Sequence, residues 1–239
     1  RDLHSFPTRR SSDLQWYFGE RAGIDFNPFA QPITDENMMI SPEGCASMSD
    51  RNGDLLFYTN GHTVWNKEHF VMQNGIGLGG DSTSVQSALA VQAPYESTIF
   101  YIFTTNQIEN DSSFLSYSIV DMKHDFARGR VVAKNIPLFF NSTERLTVSD
   151  FLSNIEILTH EVGNNVFRNY PVTMTGIGTP TYHPVGTSFN ENDDAYARGY
   201  IKYNTDVDLV AVPLREPTGN FVEIFDYDAQ LDSMSNPRK

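Results

Sequence analysis

Residues 43–65 read EGCASMSDRNGDLLFYTNGHTVW, three short β-prone runs separated by two Asn-Gly pairs, Asn52-Gly53 and Asn60-Gly61. Asn-Gly supplies the positive φ values that a tight hairpin demands, so this stretch is expected to fold as an antiparallel meander. Upstream, Gln15 to Asn27 reads as a short aromatic strand followed by a glycine turn. Downstream, residues 72–80 read MQNGIGLGG. A phosphate-cradling loop would need a preceding strand, a following helix and a Lys-Ser/Thr pair, none of which the sequence offers; an irregular loop between two β units is expected instead.

The meander recurs in weaker form. Ser87 to Val91, Thr98 to Thr105, Phe114 to Asp121 and Arg130 to Lys134 supply the strands of a second unit. Leu146 to Val148, Ile155 to His160 and Val166 to Thr173 belong to a third, with turns at Leu152 to Asn154 and Gly163 to Asn165. Gly199 to Tyr203, Leu209 to Val212 and Phe221 to Asp228 form a fourth. Taking Phe57, Ile102, Leu158 and Ala211 as the middles of equivalent second strands gives separations of 45, 56 and 53 residues. A drifting period of about 50 residues, four short strands per period and no amphipathic helix is the pattern of a β-propeller. Ile99 to Phe103 and Leu209 to Val212 are apolar on both faces, as expected of strands covered on both sides. The expected fold is therefore all-β, a partial β-propeller of about four blades, each a four-stranded antiparallel meander. A two-sheet sandwich is the alternative, although it does not account for the repeat interval.

Composition narrows the function classes. The chain has 239 residues, 39% hydrophobic and 13% aromatic, which suits a folded protein with a sizeable core. Lys and Arg number 17 against 30 Asp and Glu, a net charge of −13 that opposes binding to nucleic acid or anionic lipid. No run approaches 18 apolar residues, so no membrane insertion is expected. Cys45 is the only cysteine, which excludes an intrachain disulfide and any metal site built on a cysteine pair. Residues 1–14, RDLHSFPTRRSSDL, share no pattern with the rest of the chain and resemble the translation of a sequencing adapter. They are set aside as a non-native leader, and residues 15–239 are taken as an incomplete propeller domain.

With these repeats placed, the chain is similar to a known group. Glu43 to Ser47, Leu55 to Gly61 and Val64 to Asn66 resemble the amino-terminal propeller of secreted Bacteroidetes proteins that carry gliding-motility-associated or type IX secretion sorting domains. Met72 to Gly75, Gln86 to Ala88, Tyr101 to Thr104, Thr143 to Thr147, Gly199 to Tyr203 and Phe221 to Asp226 extend the similarity over nearly all of residues 15–237. Two places depart from the pattern. Phe151 to Thr159 lacks the usual Trp or Tyr, and residues 204–208 read NTDVD where Pro-Asp-Gly is common. The resemblance implies an extracellular or cell-surface module for binding or adhesion, with glycan or a surface protein as partner. It also implies six to eight blades, so that four units would be a fragment completed by remaining blades and downstream domains.

No local motif points to catalysis, and the chain is read as a non-enzyme with no cofactor and no metal. His62, after Asn60-Gly61, is expected at a hairpin tip. His160-Glu161, after a middle strand, is read as loop, since no nucleophile or second carboxylate accompanies it. Asp50 to Asp54 lacks the terminal glutamate of a calcium loop and reads as a hairpin. Glu191, Asp193 and Asp194 fall in a polar loop expected to be solvated. A polysaccharide hydrolase or lyase with its site in inter-blade loops, and a structural spacer, remain the alternatives.

Overall fold

In the computed structural model, residues 14–26, 33–106, 113–151, 154–188, 198–216 and 219–239 are described. The first sheet is β1 (Gln15–Phe18), β2 (Glu20–Asp25) and β3 (Ile33–Ile40), hydrogen-bonded in that order. Next comes a first four-strand meander: β4 (Ala46–Ser49), β5 (Leu55–Thr59), β6 (Thr63–Asn66) and β7 (Val71–Ile76). The second is β8 (Ala88–Gln92), β9 (Ile99–Thr105), β10 (Phe114–Asp121) and β11 (Arg130–Phe140). The third comprises β12 (Ser142–Phe151), β13 (Asn154–Glu161) and β14 (Val166–Thr173), whose outer edge is shared by two short pieces, β15 (Gly176–Ile177) and β16 (Thr181–Pro184). The fourth is β17 (Lys202–Asn204), β18 (Leu209–Glu216), β19 (Gly219–Asp228) and β20 (Ser233–Arg238). The protein is thus all-β, and the described residues include only one short 3-10 turn, Asp125–Ala127.

The two Asn-Gly pairs form the β4–β5 and β5–β6 turns, with Gly53 at φ +91° and Gly61 at φ +87°. Asp50 Oδ1 accepts the amides of Asn52 and Asp54 at 2.8 and 3.0 Å, closing the first hairpin as an Asx turn. Asn204 does the same for Asp206 at 2.9 Å, so NTDVD builds its turn without a Pro-Asp-Gly. Phe57, Ile102, Leu158 and Ala211 all fall on the second strand of their meander. On three of these strands a fully buried threonine, Thr59, Thr104 or Thr159, stands opposite Ala46, Ala88 or Leu146 of the first strand.

Successive sheets pack in chain order. Tyr17 and Met39 of the first sheet pack on Tyr58 and Trp65, with Tyr17 and Tyr58 stacked at 4.8 Å. Phe57, Val64 and Met72 meet Phe100, Ile102 and Val120 between the first two meanders. The opposite face of β9, Tyr101 and Phe103, meets Leu146, Ile157 and Tyr170 of the third. Leu158 and Phe167 then meet Val210, Val212 and Phe225 of the fourth. Adjacent residues on β9 and β13 therefore serve two different cores. A single parallel pair, Arg130 with Gln73, joins β11 to β7, so the first two meanders share one eight-stranded sheet. This sheet curls until its end strands β4 and β8 lie beside one another.

Several expectations need correction. Residues 71–76 are the fourth strand of the first meander, so the glycine-rich segment becomes irregular only after Ile76. Gly75 fits that strand because a Cβ there would sit 2.9 Å from the Val64 carbonyl oxygen. Leu209 to Val212 is covered on one face only: Val210 and Val212 are buried, whereas Leu209 and Ala211 are half-buried, because no sheet lies beyond the fourth among the described residues. At the other end Trp16, Phe18, Met38 and Ile40 point outward from the first sheet, from 39% to 54% exposed.

Candidate functional site

The first strand of each meander, β4, β8, β12 and β17, is an end strand of its sheet. Residues of all four line one cavity of about 800 Å³. An end strand carries a row of backbone groups that its own sheet does not pair. The sequence meets this demand in part with short side chains and amides reaching between meanders. Gln86, just before β8, donates from Nε2 to the Leu146 carbonyl at 2.7 Å. Its Oε1 accepts the Leu146 amide at 3.0 Å and the Ile201 amide at 3.2 Å. One carboxamide thereby ties the second, third and fourth meanders. Glu144 reaches back, accepting the Val85 amide at 2.8 Å. Thr147 Oγ1 accepts the Tyr203 amide at 3.3 Å. Ser87 Oγ donates to the carbonyls of Gly44 and Asn60, at 2.6 and 3.0 Å. Gly44 is required there, since a Cβ would lie 2.2 Å from the Ser87 nitrogen.

The cavity wall mixes small and apolar groups (Ala46, Ala88, Ala90, Val148) with polar ones at its margins (Ser47, Asp50, Arg51, Lys202). Two tyrosines also line it, Tyr200 and Tyr203, of which Tyr200 is 46% exposed. Burial, with Cys45 and Glu43 nearby, pushes the Tyr200 phenol up. Burial likewise raises Tyr203, whose hydroxyl donates to Asp208 at 3.0 Å. Cys45 lies on the same wall; its Sγ donates to the Tyr17 carbonyl at 3.3 Å, and burial raises its thiol. A raised thiol is a poor nucleophile at neutral pH, so Cys45 acts as packing.

A second polar cluster lies between the third and fourth meanders. The two N–H groups of Asn169 Nδ2 are shared among three acceptors, Glu156 at 2.9 Å, Asp232 at 2.7 Å and the Tyr227 hydroxyl at 2.8 Å. The Tyr227 hydroxyl in turn lies 2.7 Å from Glu156 and 3.0 Å from Asp232. Thr181 and His183 of β16 complete the shell of Asp232, His183 Nε2 at 3.2 Å. Burial alone would raise the Asp232 carboxyl, but hydrogen bonds from His183, Thr181, Asn169 and Tyr227 outweigh it and hold that carboxyl well below the usual range. Burial and the two carboxylates push the Tyr227 phenol far up. Asn169, Tyr227 and His183 are buried while Thr181 and part of Asp232 reach the surface, so the cluster joins the third and fourth meanders at its buried side.

The residues weighed from sequence take varied places in the fold. His62 is exposed at the β5–β6 turn, with Nδ1 3.2 Å from Thr63 Oγ1. His160 lies within β13, in line with the strand expected over Ile155 to His160 and not with the loop reading of His160-Glu161, and is fully buried, edge-on to Phe167 at 4.4 Å. Burial, with the nearby Arg145 guanidinium, holds His160 down to about 3, so it is neutral at any physiological pH. Glu161 pairs with Arg168. Glu191, Asp193 and Asp194 lie outside the described residues. Among the described residues no group of three or more His, Cys, Asp or Glu is placed to hold a metal ion. No described helix is long and apolar enough to cross a membrane. Gln86 and Tyr200 stand out in the sequence only as framework residues; their signal is position, immediately before or within the first strand of a repeat.

No protein-family profile, no curated protein and no solved structure matches the chain.

Proposed function

We propose that this chain is a binding module of the cell surface or extracellular space, and that its four meanders are blades of a β-propeller. Chain-order packing of the sheets and the inward position of every first strand support the propeller reading. The outward apolar faces at both ends suit further blades of a longer chain. The observation that carries the binding reading is the cavity of about 800 Å³ where the four first strands converge, within the range of sites that enclose a small ligand or part of a larger one. Glycan or a surface protein is the expected partner; net charge −13 disfavours nucleic acid. The test is binding of the protein to a glycan array and to intact cells, with Tyr200→Ala as the cavity variant. Loss of an aromatic contact of this kind lowers affinity about tenfold. Binding that ignores Tyr200→Ala would move the site elsewhere. Turnover of a polysaccharide, abolished by changing an acidic residue of the cavity, would replace the binding reading with a hydrolase or lyase.

A further inference from the structure

The register of β8 fixes which way its backbone groups point. The Thr105 amide donates to the Ser87 carbonyl and the Ala93 amide to the Ile99 carbonyl. Both are antiparallel partners in the same register as Ala88 with Thr104 and Leu89 with Phe103. In an antiparallel ladder, hydrogen-bonded pairs alternate with pairs whose N–H and C=O groups face away. Ser87, Leu89, Val91 and Ala93 therefore spend their groups on β9, while Ala88, Ala90 and Gln92 direct theirs to the other side. β4 packs beside β8, but no described strand is hydrogen-bonded to β8 on that side, and all three residues line the cavity. Leu146 stands on β12 where Ala88 stands on β8, opposite Thr159 and Thr104 respectively. At Leu146 the outward N–H and C=O are both taken by the Gln86 carboxamide, at 3.0 and 2.7 Å. Those are the two bonds that one residue of an added antiparallel strand would make through its own N–H and C=O, which belong to successive peptide groups. The cavity already seats one amide of its own, that of Gln86.

Resting on the reading of this cavity as the ligand site, we propose that its ligand is an extended polypeptide segment that adds to the free edge of β8 at Ala88, Ala90 and Gln92. A strand adds about 4.8 Å from its neighbour, and small residues on the receiving wall let a backbone come that close. Here the wall supplies Ala46 and Ser47 on β4 and Ala88 and Ala90 on β8. Two acidic and two basic side chains, Glu43, Asp50, Arg51 and Lys202, leave the cavity without net charge, so uncharged side chains suit the segment.

The whole chain, immobilised, is offered a library of acetyl-capped and amidated hexapeptides built from Ala, Ser, Thr and Val, and in parallel a panel of neutral oligosaccharides. Retained peptides are expected, with affinity falling about tenfold when alternate backbone amides are N-methylated and little when the intervening ones are, the period-two signature of edge pairing. Ala90→Pro removes one outward N–H without touching the β9 ladder and is expected to lose the peptides. N-methyl scanning uses the unaltered protein, so it decides the matter even if Ala90→Pro fails to fold. Oligosaccharides retained and lost on Tyr200→Ala, with no peptide retained, would overturn the peptide and leave the cavity reading standing. Peptides retained without the period-two pattern would overturn edge pairing. Neither ligand retained would overturn both.

Discussion

Replacing Gln86 with Ala removes the carboxamide that holds three backbone groups on two other meanders, Leu146 O, Leu146 N and Ile201 N. Gln86 is 9% exposed, and each such bond contributes about 1 kcal/mol net, while a buried group left without a partner costs about 1–3 kcal/mol. Water entering from the adjoining cavity can recover part of that cost, so the loss is set at about 3 kcal/mol, roughly 6–12 °C in Tm for a chain of this size. Urea denaturation followed by fluorescence reads it directly. Gln92→Ala is the control, since its Nε2 reaches only the exposed Glu96 carbonyl at 3.1 Å and should change stability by under about 0.5 kcal/mol. Gln86→Glu sharpens the test. Its carboxylate can accept from both amides but sets an acceptor against the Leu146 carbonyl, so the variant should be destabilised at neutral pH and partly recover once acid restores a donor. Stability of Gln86→Ala within about 0.5 kcal/mol of the unaltered protein would refute the clamp.

The same geometry sets three further outcomes. Gly44→Ala would place a methyl 2.2 Å from the Ser87 nitrogen and should cost about 1–3 kcal/mol, read by thermal melting, whereas Gly77→Ala meets nothing within 4 Å and should show only the smaller strain of its φ of +82°. His160, held down to about 3, is neutral when folded but takes a proton near pH 6.5 when unfolded. Its contribution is therefore complete above about pH 6.5 and is lost as pH falls toward 3, so His160→Leu should show a flatter decline of stability over that window. Asp232, held below its ordinary value, contributes fully above about pH 4 and loses that contribution in stronger acid. Asp232→Asn should be less stable than the unaltered protein at pH 7 and converge with it on acidification, in denaturant titrations at each pH.

What was legible in the sequence was local. Asn52-Gly53 and Asn60-Gly61 announce their turns through their own backbone preferences, and β9 announces itself through its unbroken apolar run, because it is covered on both faces. β18 carries a similar run at its start but alternates in burial, since coverage depends on a neighbour that the run does not encode. Residues 33–40 pair with β2 although the centre of ITDENMMI, Asp35-Glu36-Asn37, is made of residues depleted in strands, so pairing there outweighs propensity. β7 hides within MQNGIGLGG because Gly75 looks like a loop residue until the Val64 carbonyl is seen beside it. The site was least legible. Gln86 lies 60 residues from Leu146 and 115 from Ile201, and Asn169 lies 63 from Asp232, so nothing short-range marks either group of contacts.

Residue-resolved amide hydrogen exchange of the ligand-free chain tests most directly whether the first strands present free edges to a shared cavity. Leu89 and Val91 should exchange slowly, and Ala88, Ala90 and Gln92 fast. Leu146 and Ile201, held by Gln86, should be slow in the unaltered protein and fast in Gln86→Ala. Uniform protection from Ala88 to Gln92, or indifference of Leu146 and Ile201 to the loss of Gln86, would contradict the arrangement of edges on which the cavity and its proposed ligand depend.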